Sequence, residues 1–233
     1  MNGTLYGIGV GPGDPELLTL KAARLINESP VIAYPAPETG DSLSRKIAQK
    51  YIPLGRIEII IRTPMEPGSF PANHVYDKYA EQISNHLIKA QNVAVLCEGD
   101  PFLYGSFMYI FARLANIYRT EVVPGVSSIG ACSAAAGWPL VSRNETMLIV
   151  PATLDFDDLI DRISKVDAIA IMKIGKHFNK VRAVIKKLKL CQFSCYIEHA
   201  SMVDQKILPL HSIREIEAPY FSMILIKKIG VDS

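Results

Sequence analysis

The residues of this sequence that could do chemistry are concentrated in short turns that follow apolar runs. Residues 97–106 read Cys-Glu-Gly-Asp-Pro-Phe-Leu-Tyr-Gly-Ser and come directly after the run 93–96. That run is too short for a helix and predicts a buried strand with a turn at its carboxyl end. In open parallel sheets, ligands bind at that end. Gly99 would admit a ligand close to the backbone and Asp100 would supply an acceptor. The alternative is an ordinary strand-to-helix connection.

Three further glycine turns lie in matching places along the chain. They are Gly-Val-Gly-Pro-Gly-Asp-Pro at 9–15, Pro-Gly-Val-Ser-Ser at 124–128 and Met-Lys-Ile-Gly at 172–175. The first could cradle a phosphate, because a strand precedes it and a helix is predicted after it. Its spacing is GxGxG, however, and Asp14 would place a negative charge where the phosphate should sit. The turn is therefore a weak match to a dinucleotide-binding motif.

Strands and helices alternate from the amino terminus onward, which predicts an α/β fold with a mostly parallel first sheet. Pro35-Ala36-Pro37 predicts a loop, and Asp41 or Ser42 predicts a helix start. The Pro-rich segment 62–72 is a candidate lid. The predicted strands of the first half are 5–10, 30–34, 57–61, 93–96 and 120–123, and the predicted helices include 15–26, 75–90 and 105–115.

The second half predicts another α/β domain. Pro124-Gly125 is the best boundary, giving domains 1–123 and 124–233 with a cleft between them. The segment 127–137 is rich in Ala and Ser and predicts a closely packed helix, and 173–189 predicts a basic, solvated helix. The predicted strands are 146–150, 168–172, 194–200 and 220–226, with a helix over 157–163.

Composition excludes several classes of partner. The 233 residues carry 25 Lys and Arg against 23 Asp and Glu, a net charge of +2, so nothing global attracts the chain to nucleic acid or an anionic membrane. No signal-peptide pattern or membrane-spanning apolar run is apparent, and a cytoplasmic protein is expected. The four cysteines lack ligand spacing. No metal site is expected.

At these glycine turns the chain resembles the tetrapyrrole methylase family, S-adenosylmethionine-dependent enzymes with two α/β domains. The resemblance runs from Tyr6 to about Ile229. Residues 97–107 and 41–47 are similar to the branch that methylates precorrin-2 at C20, giving precorrin-3A in cobalamin synthesis. The resemblance implies that S-adenosyl-L-methionine is the methyl donor and that the protein is a homodimer. The implied cofactor contacts are Pro12, Glu98, Gly99, Asp100, Leu103, Ser127, Ser128, Met172 and Ala200.

The implied substrate is an anionic tetrapyrrole with many carboxylates. Asp14, Arg45 and Lys173 are the implied substrate-binding residues, Arg45 because a guanidinium matches a carboxylate bidentately. Methyl transfer to carbon needs mainly positioning, and a base is needed only for the leaving proton. Catalytic residues remain unassigned. The candidates for that base, which the sequence does not rank, are Asp14, Glu98, Tyr104 and His199.

Other functions stay open at this point. One is methylation of the cobalt-containing form of the same substrate, and a second is a diphthamide- or RNA-type methylase of the same superfamily. A nucleotide-binding dehydrogenase or a binding module without turnover represents a different class. The ligand that binds, whether S-adenosylmethionine, NAD or a porphyrinogen, would discriminate among them.

Overall fold

A computed structural model of the chain describes residues 1–63 and 73–228. The chain divides into two units, Met1–Ser127 and Ser128–Ser233, each built on its own five-stranded sheet. Residues 64–72 of the predicted lid lie outside the described residues. Within the described part, no helix is long and apolar enough to cross a membrane.

The first unit is an α/β domain whose strands all run parallel. Its sheet has the order β3-β2-β4-β1-β5. The predicted α/β class and parallel first sheet are confirmed. The elements are β1 (Leu5–Gly9), α1 (Leu20–Glu28), β2 (Val31–Pro37), α2 (Leu43–Ala48), β3 (Ile57–Thr63), α3 (Asn73–Leu87), β4 (Val93–Cys97), α4 (Phe107–Leu114) and β5 (Thr120–Val123).

Strand β4 shows why this sheet forms. All five of its residues are buried, as expected for a central parallel strand with helices on both faces. Val93 and Val95 face a cluster that includes Phe107 of α4, whereas Ala94 and Leu96 face a cluster that includes Ile26 of α1. The sheet thereby separates two apolar layers and fixes where the carboxyl ends of β1, β4 and β5 lie.

Two boundaries in this unit differ from the sequence prediction. Pro15 opens only a short 3-10 turn, Pro15–Leu17, and α1 begins after the cap residue Thr19, whose hydroxyl accepts from the Ala22 amide. Strand β2 continues through Pro37, where a loop was predicted, because it pairs with β3 along that whole stretch while its pairing to β4 stops at Ala33. A proline is tolerated where a strand has a neighbour on one side only.

The second unit has a mixed sheet with the order β6-β7-β10-β8-β9. Among the described strands of this sheet, β6 and β7 are the pair that runs parallel, and the other pairs are antiparallel. The short strand β9 was not predicted. The elements are α5 (Ser128–Ala136), β6 (Met147–Pro151), α6 (Phe156–Ser164), β7 (Ala168–Met172), α7 (Phe178–Lys187), β8 (Ser194–Glu198), β9 (Lys206–Pro209) and β10 (Ser222–Lys227).

Apolar side chains of β7, β8 and β10 form the core of this unit with α6 and α7. Phe178 and Tyr196 are among its largest buried side chains, and their rings lie 5.2 Å apart between centroids. Because β7 and β8 both run antiparallel to β10, their carboxyl ends lie at the same edge of the sheet. Met172 and Glu198 therefore lie at the ends of two strands on the same edge, with β10 between them.

Candidate functional site

The glycine turns of the first unit interlock through their backbones. The Gly11 amide donates to the Gly99 carbonyl at 3.3 Å and the Gly99 amide donates to the Gly11 carbonyl at 2.8 Å. Gly99 has φ +63°, the left-handed region that favours glycine. A Cβ on Gly125 would lie 2.1 Å from the Gly99 carbonyl oxygen, and one on Gly9 would lie 2.6 Å from it. The close approach served by Gly9 and Gly125 is thus to neighbouring backbone.

Asp100 fastens two of these turns together. Its Oδ1 accepts from the Phe102 amide at 2.9 Å, and its Oδ2 accepts from the Gly125 amide at 3.1 Å. The first bond holds the turn after β4, and the second connects it to the segment after β5. The sequence predicted Asp100 as a cofactor contact. In the structure, its two hydrogen bonds hold these turns in place.

Glu98 sits beside the start of α2. Its Oε1 accepts from the Ser44 amide at 3.1 Å, and the Ser42 hydroxyl caps the same helix by accepting from the Arg45 amide at 3.2 Å. Ser42, of the two predicted cap residues, is therefore the one that caps. Burial raises the pKa of the Glu98 carboxyl and outweighs the hydrogen bonds from Ser44. Glu98 links the central turn to α2 as well as lying at the edge where a ligand is expected.

The other predicted cofactor residues of this unit also lie near the carboxyl edge of the sheet. Pro12 is buried in the turn after β1, Leu103 is half-buried in the turn after β4, and Ser127 is half-buried in the segment after β5. The turns after β1 and β4 are brought together by the bridge between Gly11 and Gly99.

The structure argues against a phosphate cradle in the first turn. Asp14 accepts from the Glu16 amide at 2.8 Å and caps the 3-10 turn, so α1 does not begin at the glycines. The amides of Gly11 and Gly99 are already used in their mutual bridge. A dinucleotide site needs a helix amino terminus and open glycine amides facing the pyrophosphate. In the first turn the helix does not begin at the glycines, and the Gly11 amide is already bonded.

Arg45, predicted to meet substrate carboxylates, is held by a carboxylate of the protein itself. Its Nε and Nη2 donate to the two oxygens of Glu58 at 2.7 and 3.0 Å, and the Tyr34 hydroxyl also donates to Glu58. The hydrogen bond to Arg45 holds the pKa of Glu58 below its ordinary value, and burial with the Glu58 contact raises the pKa of Tyr34 to about 12. Glu58 and Tyr34 were not predicted as partners of Arg45, because the sequence marks them only as residues of two predicted strands.

In the second unit, Met172 and Lys173 lie where β7 ends. The Met172 carbonyl accepts from the Ala152 amide at 2.8 Å, and its side chain is half-buried. Lys173 is exposed and has φ +56°, an uncommon conformation for a residue other than glycine. Ser128 begins α5 and is half-buried, and Ala200 is buried just after β8.

Sequence reasoning missed a buried carboxylate at this edge. Glu198 accepts from the Tyr196 hydroxyl at 2.6 Å and pairs with Lys206 of β9 at 2.9 Å. Burial alone would raise the pKa of Glu198, but the hydrogen bonds from Tyr196 and Lys206 outweigh it and hold the pKa below its ordinary value. Lys206 could not be found as the partner, because β9 was not predicted.

His199 follows immediately, in a loop with unusual backbone geometry. Its Nδ1 lies 2.7 Å from Oδ2 of Asp204, and its backbone has φ +49°, while Ser201 has φ +66°. Asp204 was not predicted, because it is surrounded by exposed residues and no motif marks it. Among the described residues, no group of three or more His, Cys, Asp or Glu is placed to hold a metal ion.

Fold and site together define a class of protein: two α/β units with glycine-rich turns at strand ends, in which Glu98 and Asp100 lie at the turn after β4 and the first turn is not built as a phosphate cradle. The family model "Tetrapyrrole (Corrin/Porphyrin) Methylases" matches residues 4–216. The chain belongs to this family. The resemblance expected from the turns is confirmed.

Several relatives of known name are similar to the chain over most of its length. It is 39% identical over 233 residues to the cobalamin biosynthesis protein CobIJ of Mycobacterium tuberculosis, a match that covers 96% of this chain and 46% of that protein. The chain thus spans about half the length of this relative. It is 33% identical to the precorrin-2 C(20)-methyltransferase of Sinorhizobium sp, covering 96% of this chain and 95% of that protein.

Solved structures of related fold support the architecture. The cobalt precorrin-4 methyltransferase CbiF superposes with a TM-score of 0.75 at 23% identity, covering 96% of this chain and 94% of that one. The uroporphyrin-III C-methyl transferase of Thermus thermophilus, complexed with S-adenyl homocysteine, gives 0.71 at 23% identity, covering 97% and 92%. At this identity the likeness establishes the shared fold alone.

Proposed function

We propose that this protein transfers a methyl group from S-adenosyl-L-methionine to C20 of precorrin-2, giving precorrin-3A in cobalamin biosynthesis. The observation that carries the proposal is the 33% sequence identity to a precorrin-2 C(20)-methyltransferase along nearly the full length of both chains. The motifs at 97–107 and 41–47 favour the same branch of the family.

The residues present at the first-unit edge fit the proposed methyl donor. Glu98 and Asp100 bring carboxylates to this edge, and the predicted cofactor residues include no Lys or Arg. Such a set suits a ligand with a sulfonium and an ammonium group and disfavours a pyrophosphate. Bound S-adenosylmethionine supplies an electrophilic methyl group, so that the C20–CH₃ bond forms as the S–CH₃ bond breaks and the sulfur keeps that electron pair.

For the protein itself, the proposal assigns holding and orienting. Pro12, Leu103 and Ser127 would line the ligand in the first unit, with Glu98, Gly99 and Asp100 fixing the turn that they border. In the second unit Ser128, Met172 and Ala200 complete the proposed cofactor set, Met172 through its soft thioether. Positioning of this kind can supply roughly 7–11 kcal/mol of a reaction barrier.

For the anionic substrate, Lys173 is the best-placed of the predicted residues, because it is exposed at the end of β7. Arg45 keeps a secondary role, since Glu58 occupies Nε and Nη2 of its guanidinium group. Asp14 is committed to capping and is proposed only as a neighbour of the substrate. We propose further that the enzyme is a cytoplasmic homodimer, which the family resemblance supports.

The test is a product analysis with the purified protein. It is incubated with methyl-labelled S-adenosylmethionine and either precorrin-2 or cobalt-precorrin-2, and the products are identified by mass and absorbance. Transfer of one methyl group to C20 of the metal-free substrate supports the proposal. Faster turnover of the cobalt form would favour the second candidate, which the 32% identity to a probable cobalt-precorrin-2 C(20)-methyltransferase of Methanocaldococcus jannaschii motivates. Binding of NAD in place of S-adenosylmethionine would refute both.

A further inference from the structure

The loop after β8 holds a histidine in a geometry suited to accepting a proton. Asp204 lies 2.7 Å from Nδ1 of His199, and the His199 side chain is 25% exposed. In the neutral ring, a carboxylate at Nδ1 selects the tautomer that has its proton on Nδ1 and an acceptor lone pair on Nε2. The His199 ring is thus oriented and partly accessible, and the lone pair on Nε2 can act as a base.

The pair is not needed to hold the loop. The Met202 amide donates to the His199 carbonyl at 2.9 Å, the Ser201 amide donates to the Gln205 side chain at 2.7 Å, and the Gln205 amide donates to the Met202 carbonyl at 3.1 Å. These bonds close the loop without the imidazole. The left-handed conformations of His199 and Ser201 cost free energy, and such outliers cluster at functional sites.

The carboxylate next to His199 already has its own partners. Glu198 precedes His199 in the chain, and its carboxylate is occupied by Tyr196 and Lys206. The His199 amide donates to the Phe221 carbonyl at 2.9 Å, which places the histidine beside the start of β10. The side chain therefore lies at the same sheet edge as Met172, a proposed cofactor contact.

The other candidate bases are less suitable. Asp14 is used as a cap for the Glu16 amide, and Glu98 accepts from the Ser44 amide. Tyr104 is a phenol, which carries its own proton and donates more readily than it accepts. His199 is the candidate that combines an orienting partner with a second nitrogen able to take the proton.

We propose that His199 is the catalytic base that removes the C20 proton of the tetrapyrrole, and that Asp204 is the positioning residue that holds its ring. The inference rests on the proposed function. Once C20 carries both the new methyl group and its hydrogen, the C20–H bond breaks. Its electron pair returns to the macrocycle and neutralises the cation there, and the proton passes to Nε2 of His199.

The first test uses His199→Asn, since asparagine tolerates a positive φ better than most residues. His211→Asn is the matched control, because His211 is an exposed histidine of the same unit. Loss of a general base predicts a fall in kcat of about 100-fold or more, with an unchanged KM for S-adenosylmethionine. The control is expected to keep wild-type turnover.

Precorrin-2 carrying deuterium at C20 distinguishes proton removal from a structural role. If His199 takes the proton, that step becomes slower in His199→Asn and a larger primary isotope effect appears on kcat than in the wild type. Turnover of His199→Asn within threefold of wild type would overturn the proposal. A fall in kcat without an increased isotope effect would overturn it as well.

Asp204→Asn supplies a second variant and a readout that needs no turnover. The Asp204 side chain is 68% exposed, so this change should leave the fold intact. The ¹⁵N chemical shifts of His199 should show the Nδ1–H tautomer in the wild type and a mixture of tautomers in Asp204→Asn. The variant should also show a larger C20 isotope effect than the wild type. Unchanged chemical shifts would overturn the role of Asp204. If the wild-type protein does not methylate precorrin-2, the proposed function fails together with this inference. If the wild-type protein methylates precorrin-2 and both variants match it, this inference fails and the proposed function stands.

Discussion

At the scale of single residues, Asp100 illustrates how one carboxylate can stabilise a rim of turns. Each of its oxygens accepts from a backbone amide, one of them in a segment 25 residues further along. Asp100→Asn replaces one acceptor by a donor, which leaves the amide of Phe102 or of Gly125 without its bond. We expect a loss of about 1–3 kcal/mol in the free energy of unfolding.

Urea denaturation of Asp100→Asn measures this loss. Glu38→Gln is a matched control: it too removes one negative charge from the first unit, but at an exposed position. The control should change the stability by no more than about 0.5 kcal/mol. Equal effects of the two variants would contradict the role given to Asp100.

Glu198 makes the stability depend on pH. Its pKa is lowered in the folded protein, since hydrogen bonds from Tyr196 and Lys206 outweigh burial. The folded state therefore binds this proton less readily than the unfolded chain does, whose carboxyl has a pKa of about 4.3. The stabilisation is fully present above that value and is lost as the pH falls through the lower folded pKa.

Glu198→Gln should remove this contribution. The difference in unfolding free energy between wild type and variant is expected to be constant above pH 6 and to shrink as the pH falls below about 4.3. Thermal or urea unfolding at a series of pH values measures it, with Glu217→Gln, an exposed position of the same unit, as the control. A difference that grew on acidification would show that burial prevails and that the pKa is raised.

At the scale of elements, the positions of the glycine turns could be predicted, but the contacts that require the glycines could not. Apolar runs, glycines and prolines are local signals, so the strands β1, β4, β5 and β7 lie close to their predicted positions. The contacts that explain Gly9 and Gly125 are with the carbonyl of Gly99, which only the folded sheet brings near. A position that must be glycine because a ligand approaches it looks the same in the sequence as one that must be glycine because a neighbouring turn approaches it.

The misses have equally local causes. Strand β9 is short and mostly exposed, so no apolar alternation marks it. The start of α1 was placed too early, because Asp14 and Thr19 each cap a turn and the sequence shows two competing start signals. The pairing of Arg45 with Glu58 joins α2 to β3 across 13 residues and depends on their packing. Long-range partners of polar residues are what a single sequence conceals.

The packing of the turns leads to a prediction about Gly125. A Cβ there would lie 2.1 Å from the Gly99 carbonyl oxygen, a backbone atom that cannot swing away. We expect Gly125→Ala to lower the free energy of unfolding by about 2–3 kcal/mol, as overpacking does in other cores. Gly175→Ala is the control, since its nearest contact would be at 3.9 Å. Comparable urea midpoints for the two variants would refute the interlocked turns.

At the scale of the whole molecule, the two units have separate sheets and separate apolar cores. The proposed cofactor residues nevertheless come from both, with Glu98 and Asp100 in the first unit and Met172 and Ala200 in the second. This division makes the proposed set testable by a method that reports on each unit independently. Hydrogen exchange with and without S-adenosylhomocysteine is such a method.

A ligand that binds only the folded state stabilises it by about 2.7 kcal/mol at a hundredfold excess over Kd. We therefore expect slower exchange in peptides covering 95–104 and also in those covering 171–175 when S-adenosylhomocysteine is added. NAD at the same concentration is the control ligand and should protect neither segment, because Gly11 and Gly99 use their amides in bonding to each other. Protection confined to residues before 124 would remove Met172 and Ala200 from the cofactor set. Protection by NAD would instead indicate that the first glycine turn binds a nucleotide.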